Sequence, residues 1–137
     1  MGVLVFTGGW WALVQVDRAS ALLNLSYAVS PSLVHATVMT FGFIPLFFTG
    51  FLFTAGPKWL GVRALEAPQL RAPLVLLATS WGLWVTGSHV HARLAAIGLT
   101  GAVVGLGWIV GLFWRLIAAS TAEDRLHAKV IGVGGIV

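Results

Sequence analysis

The stretch LVHATVMTFGFIPLFFTGFLFTAGPKWLG, residues 33–61, decides the fold. Its first part, residues 33–55, contains no formally charged side chain. A helix of that length, at a rise of 1.5 Å per residue, reaches about 35 Å, which is enough to cross a hydrocarbon core of about 30 Å. His35 lies at its entrance, and Gly42 and Pro45 lie near its middle. The stretch therefore predicts a membrane-spanning helix around which the rest of the chain packs.

The composition supports the same fold class. Hydrophobic residues make up 58% of the chain and charged residues 9%, whereas a soluble domain carries about 25% charged residues. We therefore predict an all-α fold, a polytopic integral membrane helical bundle that has the lipid bilayer as its partner. The net charge is +4. Because the basic residues stand singly at the ends of apolar runs, they are typical of topology-setting charges and argue against nucleic acid as a partner.

The chain contains no cysteine. This excludes disulfides, thiolate metal sites and iron–sulfur clusters. Any bound metal must therefore use histidine, methionine, carboxylate or backbone oxygen.

The apolar runs predict a single transmembrane domain, residues 1–137, with about four spans and the start of a fifth. The segments assigned to these helices are residues 2–16, 33–55, 72–88, 94–114 and, in part, 127–137. Ser30-Pro31 is a start signal for the second helix, because proline is tolerated in a first helical turn. A short helix over residues 19–28 is expected along the membrane surface. The last run is too short to cross a bilayer, so we expect the chain to be part of a longer protein.

The loop charges predict the orientation. If the spans alternate, Arg18 and Arg93 fall on one side of the membrane, and the other side receives Lys58, Arg63, Arg71, Arg115, Arg125 and Lys129. Because cytoplasmic loops carry the excess of lysine and arginine, the second side is predicted to be cytoplasmic, together with the N-terminus. In this topology His35, His89 and His91 lie at the outer face, and His127 lies at the inner face.

The histidines are the candidate metal and cofactor ligands. His35, with Met39 one turn further along, offers an imidazole and a thioether, and both groups bind haem iron and copper. The alternative for His35 is an interfacial histidine that meets lipid headgroups, and the alternative for Met39 is packing. His127, at the start of the fifth helix, is a further candidate, with an interfacial role as its alternative.

His89 and His91 are separated by one residue. On a helix their side chains diverge by about 200°, so both could bind one metal ion only if this turn is not helical. The alternative is that they are two polar residues ending a helix in the headgroup zone.

The glycines of the fourth span form two pairs, Gly101-x3-Gly105 and Gly107-x3-Gly111, which predict close helix packing. Trp81 and Trp84 lie deeper in the third span, where they could line a cofactor pocket or pack in the core. The carboxylates are all expected in loops, at Asp17, Glu66, Glu123 and Asp124. No nucleophile triad or phosphate-binding loop occurs, so hydrolysis and phosphoryl transfer are not indicated.

Two blocks of sequence resemble a known family. His35-Ala36, Met39, Phe41-Gly42-Phe43 and the exit GFLFTAGPKWLG, residues 50–61, closely resemble the NnrS family, and Leu126-His127-Ala128 followed by Gly132 and Gly134-Gly135 resembles a later helix start of that family. The resemblance implies a polytopic bacterial inner-membrane protein, associated with haem and copper and with the response to nitric oxide and nitrosative stress. It implies His35 as the main ligand candidate.

Three functional hypotheses remain open at this point. The first is a haem- or copper-binding membrane protein with His35, and with His127 or His89, as ligands. The second is part of a transporter whose second helix, kinked at Pro45, lines a path. The third is a structural subunit of a larger membrane complex, whose glycine faces dock on partner helices or subunits.

Overall fold

The structure is a computed structural model that describes residues 2–122 and 125–135, apart from the side chains of Val3 and Leu4. Every regular element within these residues is a helix, which confirms the all-α prediction for the described part. The helices are α1 (Gly2–Ser20), α2 (Pro31–Leu60), α3 (Ala67–Val90), α4 (Ala92–Ala119) and α5 (Leu126–Gly134). The end of the predicted fifth helix, residues 136 and 137, lies outside the described residues.

α1 is longer than the predicted segment and ends at Ser20, so its last turn contains Asp17 and Arg18. The surface helix expected over residues 19–28 is wrong, because residues 21–30 contain no helix. Ala21 and Asn24 adopt left-handed backbone conformations, with φ of 54° and 48°. A left-handed residue cannot continue a right-handed helix, so this connection leaves α1 as an irregular segment.

α2 begins at Pro31, as the Ser30-Pro31 signal predicted, and a π-helical segment, Val38–Phe43, interrupts it. Here the Ile44 N–H donates to the carbonyl of Met39, five residues earlier. Pro45 follows and has no N–H to donate to the carbonyl four residues earlier. The wider π turn therefore lies where the α-helical hydrogen-bond series would be interrupted by the proline.

The π segment keeps one face of α2 against α3. Val34, Val38 and Gly42 are buried at a spacing of four residues, and in an α-helix such a stripe drifts by about 40° at each step. The wider π turn offsets that drift. A Cβ on Gly42 would lie 3.2 Å from the indole of Trp81, so this position holds the two helices close together.

The C-terminal end of α2 is fixed by specific contacts. Gly61, which follows the helix, has a φ of 64°, a left-handed conformation that glycine adopts without steric cost. The Ser120 hydroxyl at the end of α4 donates to the carbonyl of Leu60 at 2.6 Å. α2 and α4 therefore end at the same end of the bundle.

α3 and α4 form an antiparallel hairpin with only His91, in an extended conformation, between them. Glycines bring the two backbones together. A Cβ on Gly98 would lie 2.5 Å from the backbone nitrogen of Trp84, and one on Gly87 would lie 2.6 Å from that of Ala95. Of the predicted pairs, Gly101 and Gly105 face α3 side chains, whereas a Cβ on Gly107 or Gly111 would meet nothing within 4 Å.

Two of the described helices, α2 and α4, are long and apolar enough to cross a membrane by length and composition. They correspond to the predicted spans 33–55 and 94–114. α1 and α3 form where the first and third spans were predicted, and their passage through a membrane stays a prediction.

Candidate functional site

Three parts of the chain meet at one end of the bundle, which we name the histidine end: residues 21–30, the start of α2 and residues 88–93. The backbone N–H groups of Ala28 and Val29 donate to the carbonyl of Ser88, at 2.7 and 3.1 Å. The Ser26 hydroxyl donates to the carbonyl of His89 at 3.1 Å. His35, His89 and His91 therefore lie at the same end of the bundle, as the alternating spans predicted.

His89 has both ring nitrogens engaged. Trp10 Nε1–H donates to His89 Nε2 at 2.6 Å, and Nδ1 lies 2.9 Å from the carbonyl oxygen of Ser26. Because Nε2 must accept, Nδ1 carries the proton and donates to Ser26, which assigns a neutral imidazole in one tautomer. This ring ties α3 to α1 and to the connection, and it has no lone pair left for a metal in this arrangement.

His35 is held differently. Its ring stacks on Trp11 with the ring centroids 4.1 Å apart and an angle of 12° between the planes. The ring is half-buried, and neither nitrogen has a hydrogen-bond partner in the described part of the chain. Since the nitrogen lone pair lies in the plane of the ring, face-to-face stacking orients the imidazole while leaving its edge available to a ligand.

Trp10 and Trp11 connect these two histidines through ring contacts. Their own centroids are 5.9 Å apart, and the Trp10 centroid is 6.0 Å from that of His89. On the far side of His89, the Tyr27 ring lies at a centroid distance of 5.2 Å. His35 and His89 therefore belong to one aromatic cluster, although two indoles lie between them.

Asp17 is part of this cluster, which the sequence reasoning missed. The prediction that Asp17 lies in a loop is wrong, because α1 extends beyond it and the residue is buried, with 8% of its surface exposed. Oδ2 accepts from the Tyr27 hydroxyl at 3.1 Å and from the Leu25 N–H at 3.3 Å, whereas Oδ1 is buried without a partner in the described part. The only signal in the sequence was its position at the end of an apolar run.

Asp17 also affects Tyr27. Partial burial raises the pKa of the Tyr27 hydroxyl, and the hydrogen bond to Asp17 and the negative charge of that carboxylate raise it further. Tyr27 is therefore held in its protonated form as a hydrogen-bond donor.

His91 and Met39 lie at the edge of the cluster. His91 is exposed, and its Nδ1 accepts from the Arg93 N–H at 3.0 Å, which caps α4. A metal at Nε2 would require the ring proton to move to Nδ1, so metal binding would compete with this cap. Met39 lies in the π segment and is 37% exposed.

His127 lies far from the other three histidines. It belongs to the first turn of α5, beyond the end of α4, whereas His91 precedes the start of α4. An α-helix of 28 residues is about 42 Å long. His127 therefore lies at the opposite end, as the topology predicted, and would belong to a separate site.

A cleft of about 820 Å³ lies between α1, α2 and α3. Its lining is mostly apolar and includes Phe6, Val38, Phe43, Phe47 and Trp81. Trp81 borders this cleft, but both Trp81 and Trp84 are buried in the core, which agrees with the packing alternative. The Trp81 Nε1–H is buried without an acceptor among the described residues. His35 is not part of this lining.

In the described part of the chain, no group of three or more His, Asp or Glu side chains is placed to hold a metal ion. A copper site built from three or more of these side chains therefore does not fit the described residues. Haem iron could be held by one available imidazole, and His35 offers one.

No curated protein and no solved structure is detectably similar to the chain. A protein-family model described as NnrS protein matches residues 2–136, which is nearly the whole sequence. This agrees with the resemblance carried by the blocks at His35 and His127. The chain therefore belongs to the NnrS family.

Proposed function

We propose that this chain is an integral protein of the bacterial inner membrane that binds haem through His35 and acts in the response to nitric oxide or nitrosative stress. Membership of the NnrS family supports the proposal. The observation that carries it is the His35 imidazole, which is oriented by Trp11 and has both ring nitrogens without a partner in the described part.

The membrane setting is supported by the outward surface of the two long apolar helices. Phe47 on α2 and Val103 on α4 are 68% and 62% exposed, and in water such a surface would be costly. Lys58 in the last turn of α2 and Arg115 in the last turns of α4 lie at the end opposite the histidine end. The excess of basic residues at that end supports a cytoplasmic assignment for it, and with it a cytoplasmic N-terminus.

In this proposal the His35 imidazole would hold the haem iron. When bound, haem would supply an iron that can bind a diatomic ligand such as nitric oxide. Trp11 would orient the imidazole by stacking. Copper, if it binds, needs ligands beyond the residues described here, with His91 as the most exposed imidazole at this end.

The test compares two histidine variants. We expect purified protein in detergent to show a haem absorption band with bound iron, and His35→Ala to lose both. His127→Ala is the matched control, because it removes an exposed histidine at the opposite end and should keep the band. Equal pigment in both variants would exclude His35 as the ligand, and the absence of iron, copper and pigment from the wild-type protein would remove the cofactor proposal itself.

A second candidate function is a path for an apolar substrate. It is favoured by the cleft of about 820 Å³ beside the π segment, because π segments are frequent at functional sites. Phe43 lies in the π segment and lines the cleft. If protein without haem transports an apolar substrate and substitution of Phe43 abolishes that transport, this role would be supported. Without either activity, the structural role in a larger membrane complex would remain.

A further inference from the structure

Five aromatic rings form an unbroken series of contacts at the histidine end. From His35 to Trp11, Trp10, His89 and Tyr27, the successive ring centroids lie 4.1, 5.9, 6.0 and 5.2 Å apart. Binding of haem by His35 requires none of the rings beyond Trp11. Because electron tunnelling becomes faster as aromatic groups come closer, such a series is an efficient route for single electrons.

Two of these rings have oxidisable N–H or O–H groups, and each has a base in hydrogen-bonding contact. Trp10 Nε1–H donates to the unprotonated His89 Nε2 at 2.6 Å, and the Tyr27 hydroxyl donates to Asp17 Oδ2 at 3.1 Å. An indole or a phenol becomes a much stronger acid when it loses an electron. Oxidation at either position is therefore far easier when a neighbouring base can take the proton in the same event.

Asp17 is suited to receive that proton. Its residue is buried, and Oδ1 has no partner within the described residues, so the carboxylate is only partly stabilised by hydrogen bonds. Asp17 Oδ2 already accepts the hydrogen bond of the Tyr27 hydroxyl at 3.1 Å, so the proton has only to cross an existing hydrogen bond.

We propose that this series of rings is an electron path and that Tyr27 is a redox-active tyrosine at its end. In the presence of a one-electron oxidant at the His35 end, of the class of a peroxide-activated metal centre, Trp10 would give up one electron through Trp11, and its Nε1 proton would pass to His89. Tyr27 then reduces Trp10, which recovers its proton. The Tyr27 O–H bond breaks as the proton passes to Asp17, leaving a neutral tyrosyl radical and a protonated carboxyl group. One electron has moved to the oxidant and one proton from Tyr27 to Asp17.

This inference rests on the proposed function only in placing a redox centre at His35. Its role there is to carry an oxidising equivalent away from the metal to a residue near the edge of the bundle. The path itself consists of this chain's own residues and can be tested without a cofactor.

The absence of cysteine allows a photo-oxidant to be attached at one chosen position. A ruthenium polypyridyl label on Ser32→Cys lies beside His35, and the same label on Thr121→Cys lies at the opposite end; both positions are exposed. After a flash in the presence of an electron acceptor, we expect a tyrosyl signal in electron paramagnetic resonance from the Ser32 label. Because Tyr27 is the only tyrosine, the signal reports this residue alone. Equal yields from both labels would overturn the proposal.

Variants then test the path and the proton acceptor. Asp17→Asn keeps an oxygen that accepts the hydrogen bond but is not a base, and we expect tyrosyl formation to slow by roughly 100-fold, as for loss of a positioned general base. Trp10→Phe should also slow it, whereas Trp114→Phe, at the opposite end, should leave it unchanged. An unchanged rate in Asp17→Asn, or equal effects of the two tryptophan variants, would contradict the path.

The two proposals fail separately. The label acts in protein without haem, so absence of the tyrosyl signal in well-folded protein overturns the path and says nothing against His35 as a haem ligand. Presence of the signal in protein that never binds haem would leave the path standing while the proposed function fails.

Discussion

The α3–α4 hairpin and the histidine end hold neighbouring helices together by opposite means. In the hairpin, glycines remove side-chain volume so that the backbones touch, as at Gly98 against Trp84. At the histidine end, large rings fill the space between α1 and α3, and each contact depends on a specific donor and acceptor, as between Trp10 and His89. The hairpin uses contacts that any apolar bundle can use, whereas the histidine end uses groups that can bind a metal or transfer a proton.

The polar groups without a partner also differ between the two regions. In the hairpin, Thr79, Thr86 and Thr100 donate their hydroxyls to carbonyls of the preceding turn, whereas the buried Nε1–H groups of Trp81 and Trp84 have no acceptor in the described part. At the histidine end, Asp17 Oδ1 is buried without a partner in the described part, and His35 offers two nitrogens without one. An indole N–H can only donate, whereas a carboxylate oxygen or an imidazole nitrogen can accept a proton or bind a metal. The groups capable of such chemistry therefore lie at the histidine end.

The largest loss of stability is expected when side-chain volume is added inside the hairpin. Gly98→Leu places a side chain against the backbone of Trp84, which cannot move without separating the helices, so we expect a loss of about 3 kcal/mol or more in the free energy of unfolding. Gly107→Leu is the matched control, because a Cβ there meets nothing within 4 Å, and its effect should be near zero. Unfolding in detergent followed by circular dichroism measures both. Equal effects would show that the hairpin is not the tight interface.

An intermediate effect is expected at the histidine end. His89→Phe keeps a ring in place but removes both nitrogens, so Trp10 Nε1–H and the Ser26 carbonyl lose their partners. We expect a loss of about 1–3 kcal/mol in the free energy of unfolding. His91→Ala removes one exposed capping bond to Arg93 and should cost less. If His91→Ala were the more damaging change, the assignment of His89 as the residue that ties α1 to α3 would be wrong.

The two regions also differ in what the sequence could predict. The Gly101-x3-Gly105 spacing predicted close packing correctly, because helix periodicity alone brings residues four apart to one face. The same logic places Gly107 and Gly111 on a shared face, but the position of α3 decides which pair packs against it. Local spacing therefore predicted one of the two pairs correctly.

The candidate site was predictable only in part. Alternating spans were enough to bring His35, His89 and His91 to one end and to send His127 to the other. The pairing of Trp10 with His89 joins residues 79 apart in the sequence, and no local pattern encodes it. Asp17 was assigned to a loop because a charge usually ends an apolar helix. In the structure, α1 continues past Asp17, and the Tyr27 hydroxyl and the Leu25 N–H donate hydrogen bonds that allow its carboxylate to be buried.

The smallest expected effect concerns the pKa of Tyr27 at the histidine end. Tyr27 is the only tyrosine, so an ultraviolet titration of tyrosinate reports its pKa directly. We expect a midpoint above the ordinary value of 10.0, because burial, the Asp17 hydrogen bond and the Asp17 charge all favour the protonated phenol. A pKa raised by folding gives stability that is fully present below the unfolded pKa and is lost as the pH rises through the folded one.

Asp17→Asn separates these causes. It removes the charge and keeps burial, so the midpoint should fall towards, but not reach, the ordinary value. Glu66→Gln, which removes an exposed carboxylate before α3, should leave the midpoint where it was. The proton shared between the Tyr27 hydroxyl and Asp17 is the one that the electron path must move. If Asp17→Asn left the tyrosinate midpoint unchanged, the hydrogen bond between Tyr27 and Asp17 would be contradicted. A midpoint that shifts only in Asp17→Asn would instead tie this single phenol to the one carboxylate buried beside it.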